Sequence, residues 1–386
     1  MPELTAARRR QGAALFACSL FALLLALPLS SAAGALYHVT SLSPLTFVNG
    51  INNKGQIVGS NDNHAFLYQA GVLTDLGTFP GGVDSFASGI NDNGQVVGGA
   101  DGPPITQHAF LYSNGAMIDA GSLGGTVLYD GFFPTTISAG RAINNLGQIV
   151  GESAYGPHGA DHAFLYSGGV MTDLGTLASS SQSRAWGIND HGEIVGDSGG
   201  FGHAFLYSGG MMTDLGTLGG ENSIAQGINN NGQIVGWANN AAGSGHGFLY
   251  SEGVMTDIGS LPGGGQSGAY AINNNGEIVG TAAIVPDGQP VYVGEWHAIL
   301  YSGGAMIDLN TRLDTSSAGW LLEDAVAIND VGMIVGDGLF NGGTSSIPVL
   351  LTPVPEPSAL VLLAIGGLAL GGLVVVRKRE RRRRPS

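Results

Sequence analysis

Six of the nine histidines open the same short string, as in His203-Ala204-Phe205-Leu206-Tyr207; they are His64, His108, His162, His203, His246 and His297. Six aspartates stand in the string that follows: Asp75, Asp119, Asp173, Asp214, Asp257 and Asp308. A histidine beside a carboxylate is the working unit of general acid–base catalysis and half of a transition-metal site. The pattern argues against both. One pair per repeat spreads identical residues around a wide circle, so they do not converge on one metal. A hydrogen bond within each repeat, holding two strand ends in register, is the expected role. Calcium is the alternative metal, yet a run such as Asn229-Asn230-Asn231-Gly232 lacks the charge and the distal Glu of a calcium loop. No cofactor is therefore expected. Neither a nucleophile elbow nor a phosphate-binding glycine loop is expected. A carboxylate pair in a central channel would hydrolyse a glycoside, but the sequence singles out no two acids, and the expected protein is not an enzyme.

The aromatic residues offer a different chemistry. Tyr129, Tyr155, Trp237, Trp296 and Trp320 lie on or beside the longest insertions between repeats, at 100–107, 122–138, 153–161, 282–295 and 315–322. Exposed rings stack on the C–H faces of sugars while nearby Asn and Asp take the hydroxyls. These five residues form the expected ligand face. The competing expectation is that each ring packs its own loop.

What positions these residues is an internal repeat. Ile-Asn recurs at Ile51, Ile90, Ile143, Ile188, Ile228, Ile272 and Ile328, at intervals of 39 to 56 residues. Each copy continues through a glycine turn into an apolar pair, as in Asn229-Asn230-Asn231-Gly232-Gln233-Ile234-Val235-Gly236. The residue before the turn glycine is Leu146 or Val331 in two copies, which disfavours a turn with positive φ there. A type I turn closed by a left-handed glycine suits every copy, with the Asn as its initiating Asx residue. Adjacent apolar pairs such as Ile234-Val235 predict strands buried on both faces. Four short strands per copy make one propeller blade, which must stack on neighbours to bury both its faces.

The seventh copy runs out after its third strand, Ile347-Pro348-Val349-Leu350-Leu351, and the first is preceded by a spare strand, 36–42. The fold class expected is therefore all-β, a closed seven-bladed propeller over residues 34–352; an open β-solenoid is the alternative. In such a meander both tight turns of each blade emerge on one face and all the long insertions on the other, the natural binding face.

Charge is sharply segregated. Of 14 Lys and Arg, only Lys54, Arg141, Arg184 and Arg312 lie between residues 34 and 353, whereas all but three of the 29 Asp and Glu do. So acidic a body excludes nucleic-acid binding. The basic residues gather at the ends. Arg8-Arg9-Arg10, the apolar stretch 12–29 and the small residues Ser31-Ala32-Ala33 read as a signal peptide over 1–33. The only cysteine, Cys18, falls inside it, so a mature chain has no thiol chemistry. Residues 358–376 carry no charge, long enough for a transmembrane helix, and Arg377, Lys378, Arg379 and Arg381 follow as a stop signal.

Pro355-Glu356-Pro357, then the apolar span, then the arginine cluster, resembles the PEP-CTERM sorting signal of Gram-negative bacteria, here over 353–386. The resemblance implies recognition and cleavage by a membrane exosortase at Pro355, Glu356 and Pro357. It also implies anchoring in the inner membrane before processing, then a place at the cell surface or outside it. Producers of such proteins usually make exopolysaccharide. The His-Ala-Phe blocks resemble the HAF repeat of bacterial extracellular proteins. The function expected from all this is structural or adhesive, with exopolysaccharide or surface proteins as partners. The alternative is a polysaccharide-acting propeller enzyme.

Overall fold

The computed structural model describes residues 34–354 apart from 103–105, 126, 130–132, 136, 157–159, 179, 200–201 and 286–294. The expected signal peptide, Pro355-Glu356-Pro357, the apolar span and the basic cluster from Arg377 to Arg381 lie outside the described residues. Among the described residues no helix is long and apolar enough to cross a membrane.

The protein is a seven-bladed β-propeller. Six sheets follow in chain order at 47–77, 85–121, 138–173, 183–216, 219–257 and 267–308, each a four-stranded antiparallel meander. The seventh sheet is assembled from both ends of the described chain. Trp320–Ile328, Ile334–Phe340 and Ile347–Val354 supply three strands, and Leu36–Ser41 pairs with the last of them from Leu36↔Val354 to Ser41↔Val349. The spare leading strand thus fills the place left empty in the last copy. Beside it, the Ser317 hydroxyl accepts from the Val39 N–H at 2.8 Å and clamps the added strand. The closing seam is packed like any other: Val335 of blade seven meets Val48, Ile51, Ile57 and Phe66 of blade one.

Each seam repeats one jigsaw. Between blades four and five, Val195, Ala204 and Leu215 on one side meet Ala225, Ile234 and Phe248 on the other. In the apolar pair of strand two, Ile faces the preceding blade and Val the following one, as Ile194 and Val195 do. In the His-Ala-Phe strand, Ala and Phe divide in the same way. Each buried Ile, Val or Phe contributes roughly 1.5–3 kcal/mol of apolar burial. A ring of such seams explains why one blade has no stability alone.

Two residues of the repeat are dictated by backbone contacts. Strand one carries a β-bulge three residues before its terminal Asn in every blade, as at Ala185/Gly187. The bulge presses its backbone onto the glycine of strand two. A Cβ at Gly59, Gly98, Gly151, Gly196, Gly236, Gly280 or Gly336 would sit 1.8–2.2 Å from a strand-one carbonyl oxygen, so only glycine fits. The turn glycine, such as Gly232, takes a φ of +74°; the residue before it does not have positive φ in any copy, which is the type I geometry the sequence predicts.

The turn asparagines close the circle. The Oδ1 of Asn229 accepts from the N–H groups of Asn231 and Gln233, both at 3.0 Å, and its Nδ2 donates to the carbonyl of Asn273 in the next blade at 3.0 Å. The same inter-blade bond runs from Asn52, Asn91, Asn144, Asn189, Asn273 and Asn329, the last returning to the Asn52 carbonyl, at 2.9–3.1 Å throughout. A second closed circle lies one residue on. There each backbone N–H donates to the Asx side chain of the next blade at 2.8–2.9 Å, from Asn53 to Asp92 and around to Asp330, which donates to Asn53. These closed circuits exclude the open solenoid.

Candidate functional site

The two faces of the disc differ in chemistry. On the tight-turn face, the Ile-Asn-Asx strings of all seven blades surround a small polar cavity of about 170 Å³. Its three carboxylates are already committed. Both oxygens of Asp92, Asp190 and Asp330 accept hydrogen bonds from neighbouring Asn side chains or backbone N–H groups. Burial alone would push the Asp190 carboxyl up, but these bonds hold it below the usual range. This face is a closure device.

The opposite face carries the His–Asp pairs. In all six blades that have the motif, His Nδ1 meets the Asp carboxylate at 2.7–3.0 Å. The same Asp accepts a backbone N–H two residues later, from Gly77, Gly121, Gly175, Gly216, Gly259 or Asn310. Each pair ties the start of strand three to the end of strand four, as expected. Among the described residues no group of three His, Cys, Asp or Glu is placed to hold a metal ion.

Blade four comes nearest to a nucleophile. Contrary to the expectation above, a Gly-x-Ser-x-Gly string does occur, at Gly196-Asp197-Ser198-Gly199-Gly200. Ser198 is the cross-strand partner of His203, which bonds Asp214 at 2.8 Å. The serine is nonetheless spent on structure. It is 3 % exposed, its Oγ donates to the Gln182 carbonyl at 2.9 Å, and it accepts from the Leu177 N–H at 3.0 Å. Ser153 ties the same corner in blade three, accepting from the Leu123 N–H at 2.9 Å. Neither serine stands at the strand-to-helix turn that exposes a nucleophile elbow.

A groove between blades five and six presents the aromatic chemistry. Its volume is about 530 Å³, within the ~300–1,000 Å³ range of small-molecule sites. Strand two of blade five, Ile234–Asn240, positions the first wall: Val235 faces blade six, so Trp237 two residues on faces it too. Gly245 lies under that indole, where a Cβ would touch the ring at 3.8 Å. Blade six supplies Tyr270, Thr281 and Trp296, and the floor includes Gln226 and Gly268. The Thr281 hydroxyl donates to the Glu323 carbonyl at 2.9 Å, and Gln226 Oε1 is buried with no hydrogen-bond partner among the described residues. Burial, and then the neighbouring Asp324 carboxylate, push the Tyr270 phenol up to about 12, so it is a neutral donor under all ordinary conditions.

Of the five aromatic residues picked from the sequence, Trp237 and Trp296 meet in this groove. Tyr155 stacks on His162 with centroids 4.4 Å apart, and Trp320 tilts against Phe340 at 5.0 Å, so both pack their own strands. Tyr129 lies in a short hairpin, Val127–Tyr129 with Phe133–Thr135, within the 122–138 insertion; its side chain is outside the description. Tyr270 and Gln226 were missed. Both occupy the strand-one bulge, and the signal was there: the seven copies carry Asn49, Ser88, Arg141, Trp186, Gln226, Tyr270 and Val326 at this position, between otherwise repetitive neighbours.

Charged and aromatic residues also gather on strand one of other blades. Arg141 lies between the Phe86 and Trp186 rings, 5.9 and 5.1 Å from their centroids, and pairs with Glu152. The Trp186 indole donates to Asp197 at 2.7 Å. In blade seven, Asp324 accepts from the Asp337 N–H at 2.9 Å. Burial, then the charges of Asp324 and Glu323, raise the Asp337 carboxyl to about 7.

These observations meet the sorting segment at the chain's end. Residues 353–382 carry the PEP-CTERM protein-sorting motif. The motif implies export to the cell envelope or surface and processing by an exosortase. No curated protein matches the sequence. Solved structures match the chain at low identity. One is the extracellular domain of a one-component system from B. thetaiotaomicron, at 11 % identity and a TM-score of 0.46, covering 83 % of this chain and 40 % of that one. The chain therefore spans about two fifths of that protein. Another is a gluconolactonase from Xanthomonas campestris, at 9 % identity and a TM-score of 0.39, covering 83 % of this chain and 92 % of the other. A third is YCF48 bound to D1 peptide, at 13 % and 0.46, covering 85 % and 100 %.

Proposed function

We propose that the chain is a non-enzymatic surface protein of HAF-repeat type, with a structural or adhesive role in an exopolysaccharide matrix or envelope. An exosortase cleaves its sorting segment, and the propeller then engages saccharide. The observation that supports this reading is the groove of Trp237, Tyr270 and Trp296. Flat rings with an amide and a hydroxyl beside them match the two surfaces of a sugar, apolar C–H faces and polar edges. The six His–Asp pairs and the buried Ser198 are consumed by the scaffold, which leaves binding as the chemistry on offer. The ring closes between residues 36 and 354, so residues 34–354 contain the whole fold. Incubating that purified ring with the producer's own exopolysaccharide is the test. Retention on the polymer without release of reducing ends supports the proposal; no retention overturns it.

A second reading is a polysaccharide-acting enzyme, favoured by one observation. Asp324 and Asp337 are cross-strand partners in blade seven, and burial with the neighbouring Asp324 and Glu323 charges raises the Asp337 carboxyl to about 7, the range suited to a general acid. Release of reducing ends, lost in Asp337→Asn, would establish it.

A further inference from the structure

We infer that the groove between blades five and six takes an uncharged pyranose chain and rejects uronate or otherwise anionic saccharide. This rests on the saccharide-binding reading and names the class of sugar. The argument starts from the lining. No described residue that lines the groove carries a charge: the polar groups on offer are the amides of Gln226, Asn239 and Gln266 and the hydroxyl of Tyr270, while the Ser267 and Thr281 hydroxyls are already spent on the Gly259 and Glu323 carbonyls. An amide offers both donors and acceptors, and a hydroxyl offers one of each. Such a set answers sugar hydroxyls, which also donate and accept, but it contains no cation to answer a carboxylate. Desolvating an unpaired carboxylate against two indoles and a phenol is costly.

The long-range field acts in the same direction. The body between residues 34 and 353 holds 26 acids against Lys54, Arg141, Arg184 and Arg312. Of those four, Arg141 is paired with Glu152 and Arg184 with Asp161, and none of the four lines the groove. An anionic polymer approaching this face meets net negative charge. The glycines complete the case. Gly245 and Gly268 leave the Trp237 and Tyr270 rings uncovered on the groove side, a Cβ at Gly268 lying 3.2 Å from the Tyr270 ring. A flat, equatorially linked sugar chain fits such rings best, since its C–H groups lie on the two broad faces.

The experiment uses two probes of equal length and linkage, a β-1,4-linked glucose hexamer and a β-1,4-linked uronate hexamer, titrated by calorimetry against the ring. Binding of the neutral hexamer, with the uronate at least about tenfold weaker at 0.15 M salt, is the expected result. Trp237→Ala should weaken the neutral hexamer about tenfold or more. Because a half-buried indole contributes to packing, Gln266→Lys provides the folding-safe variant: Gln266 is exposed, and the added cation should narrow the gap by raising uronate affinity. Equal or tighter uronate binding by the unmodified protein overturns the inference and leaves the saccharide-binding reading standing. Binding of neither probe, nor of the producer's own polymer, overturns both. Neutral binding unaffected by Trp237→Ala, together with uronate binding unaffected by Gln266→Lys, places the site elsewhere and also overturns the inference.

Discussion

Replacing Asn229 by alanine tests the physical basis of ring closure. Asn229 is 4 % exposed and makes four hydrogen bonds: its Oδ1 accepts from the Asn231 and Gln233 N–H groups, and its Nδ2 donates to Gln233 Oε1 and to the Asn273 carbonyl. Alanine leaves two backbone donors without partners and removes the inter-blade bond to the Asn273 carbonyl, which keeps only the Gly276 N–H at 3.1 Å. An orphaned buried group costs about 1–3 kcal/mol, less where water reaches it. Asn273 is buried and Gln233 half-buried, but Asn231 is exposed, so the sum comes to about 2–4 kcal/mol. At roughly 2 °C per kcal/mol for a domain of this size, Tm should fall by about 4–8 °C. Asn229→Asp keeps the two accepting bonds but turns an oxygen toward the Asn273 carbonyl, so it should cost at least as much at neutral pH. Asn231→Ala is the control: its Nδ2 bond to the Asn274 carbonyl is exposed, and its loss should cost under about 0.5 kcal/mol. Urea unfolding of residues 34–354 measures all three. If Asn229→Ala lies within about 1 kcal/mol of Asn231→Ala, the asparagine circle is decoration and the seams alone close the ring.

Gly196→Ala should abolish soluble folded protein, because the new Cβ would sit 1.9 Å from the Arg184 carbonyl oxygen, far inside contact; far-ultraviolet circular dichroism of the soluble fraction reads the outcome. Gly247 stands where the five other blades with the His–Asp motif have alanine, and a Cβ there would lie 2.9 Å from Ile258 Cδ1. Gly247→Ala alone should therefore destabilise by about 1–3 kcal/mol, with Ile258→Leu, the residue of four sister blades, restoring most of it in the double variant. Asp337 gives a pH signature. Its folded-state pKa of about 7 lies above the usual ~3.9 of an unfolded Asp, so the folded state binds the extra proton and stability falls as pH rises from about 4 to 7. Asp337→Asn should raise Tm at pH 8 and leave it nearly unchanged at pH 4. Asp308 has the opposite sign. Burial raises it, but bonds from His297 and the Asn310 N–H overcome that and hold it low. Its stabilisation is present above about pH 4 and disappears as pH falls through the lowered value, so Asp308→Asn should flatten the acid side of the Tm profile.

Much of this architecture is legible in the repeat. The Ile-Asn-x-x-Gly string specifies a turn whatever surrounds it, and Leu146 and Val331 before the glycine are enough to choose the turn type. Ile-Val pairs announce two buried faces, and the spare strand at 36–42 with the truncated last copy announces closure. The groove was half legible. Trp237 and Trp296 stand out as large rings at insertion edges, but whether a ring faces a neighbour or solvent depends on side-chain direction, which strand alternation alone settles only once the register is known. Tyr155 and Trp320 were equally conspicuous and turned onto His162 and Phe340 instead. Tyr270 and Gln226 escaped because a β-bulge redirects one residue out of the alternating pattern, and the bulge follows from packing against the strand-two glycine. Ser198 shows the converse: a string resembling a catalytic one, in which local hydrogen bonds to Gln182 and Leu177 decide its role.

The pairing of Leu36–Ser41 with Ile347–Val354 has a mechanical consequence. Leu36 faces Val354, so both ends of the described chain leave from the same corner of the disc. Tension applied between those ends would peel this ladder one rung at a time, starting at the corner, which is the weakest way to load paired strands. Tension applied between a ligand seated against blades five and six and a tether beyond Val354 takes another path. It enters blade seven through its packed face with blade six, and the borrowed strand bears none of it. A molecule tethered by its tail can therefore be pulled upon through its groove without opening its clasp.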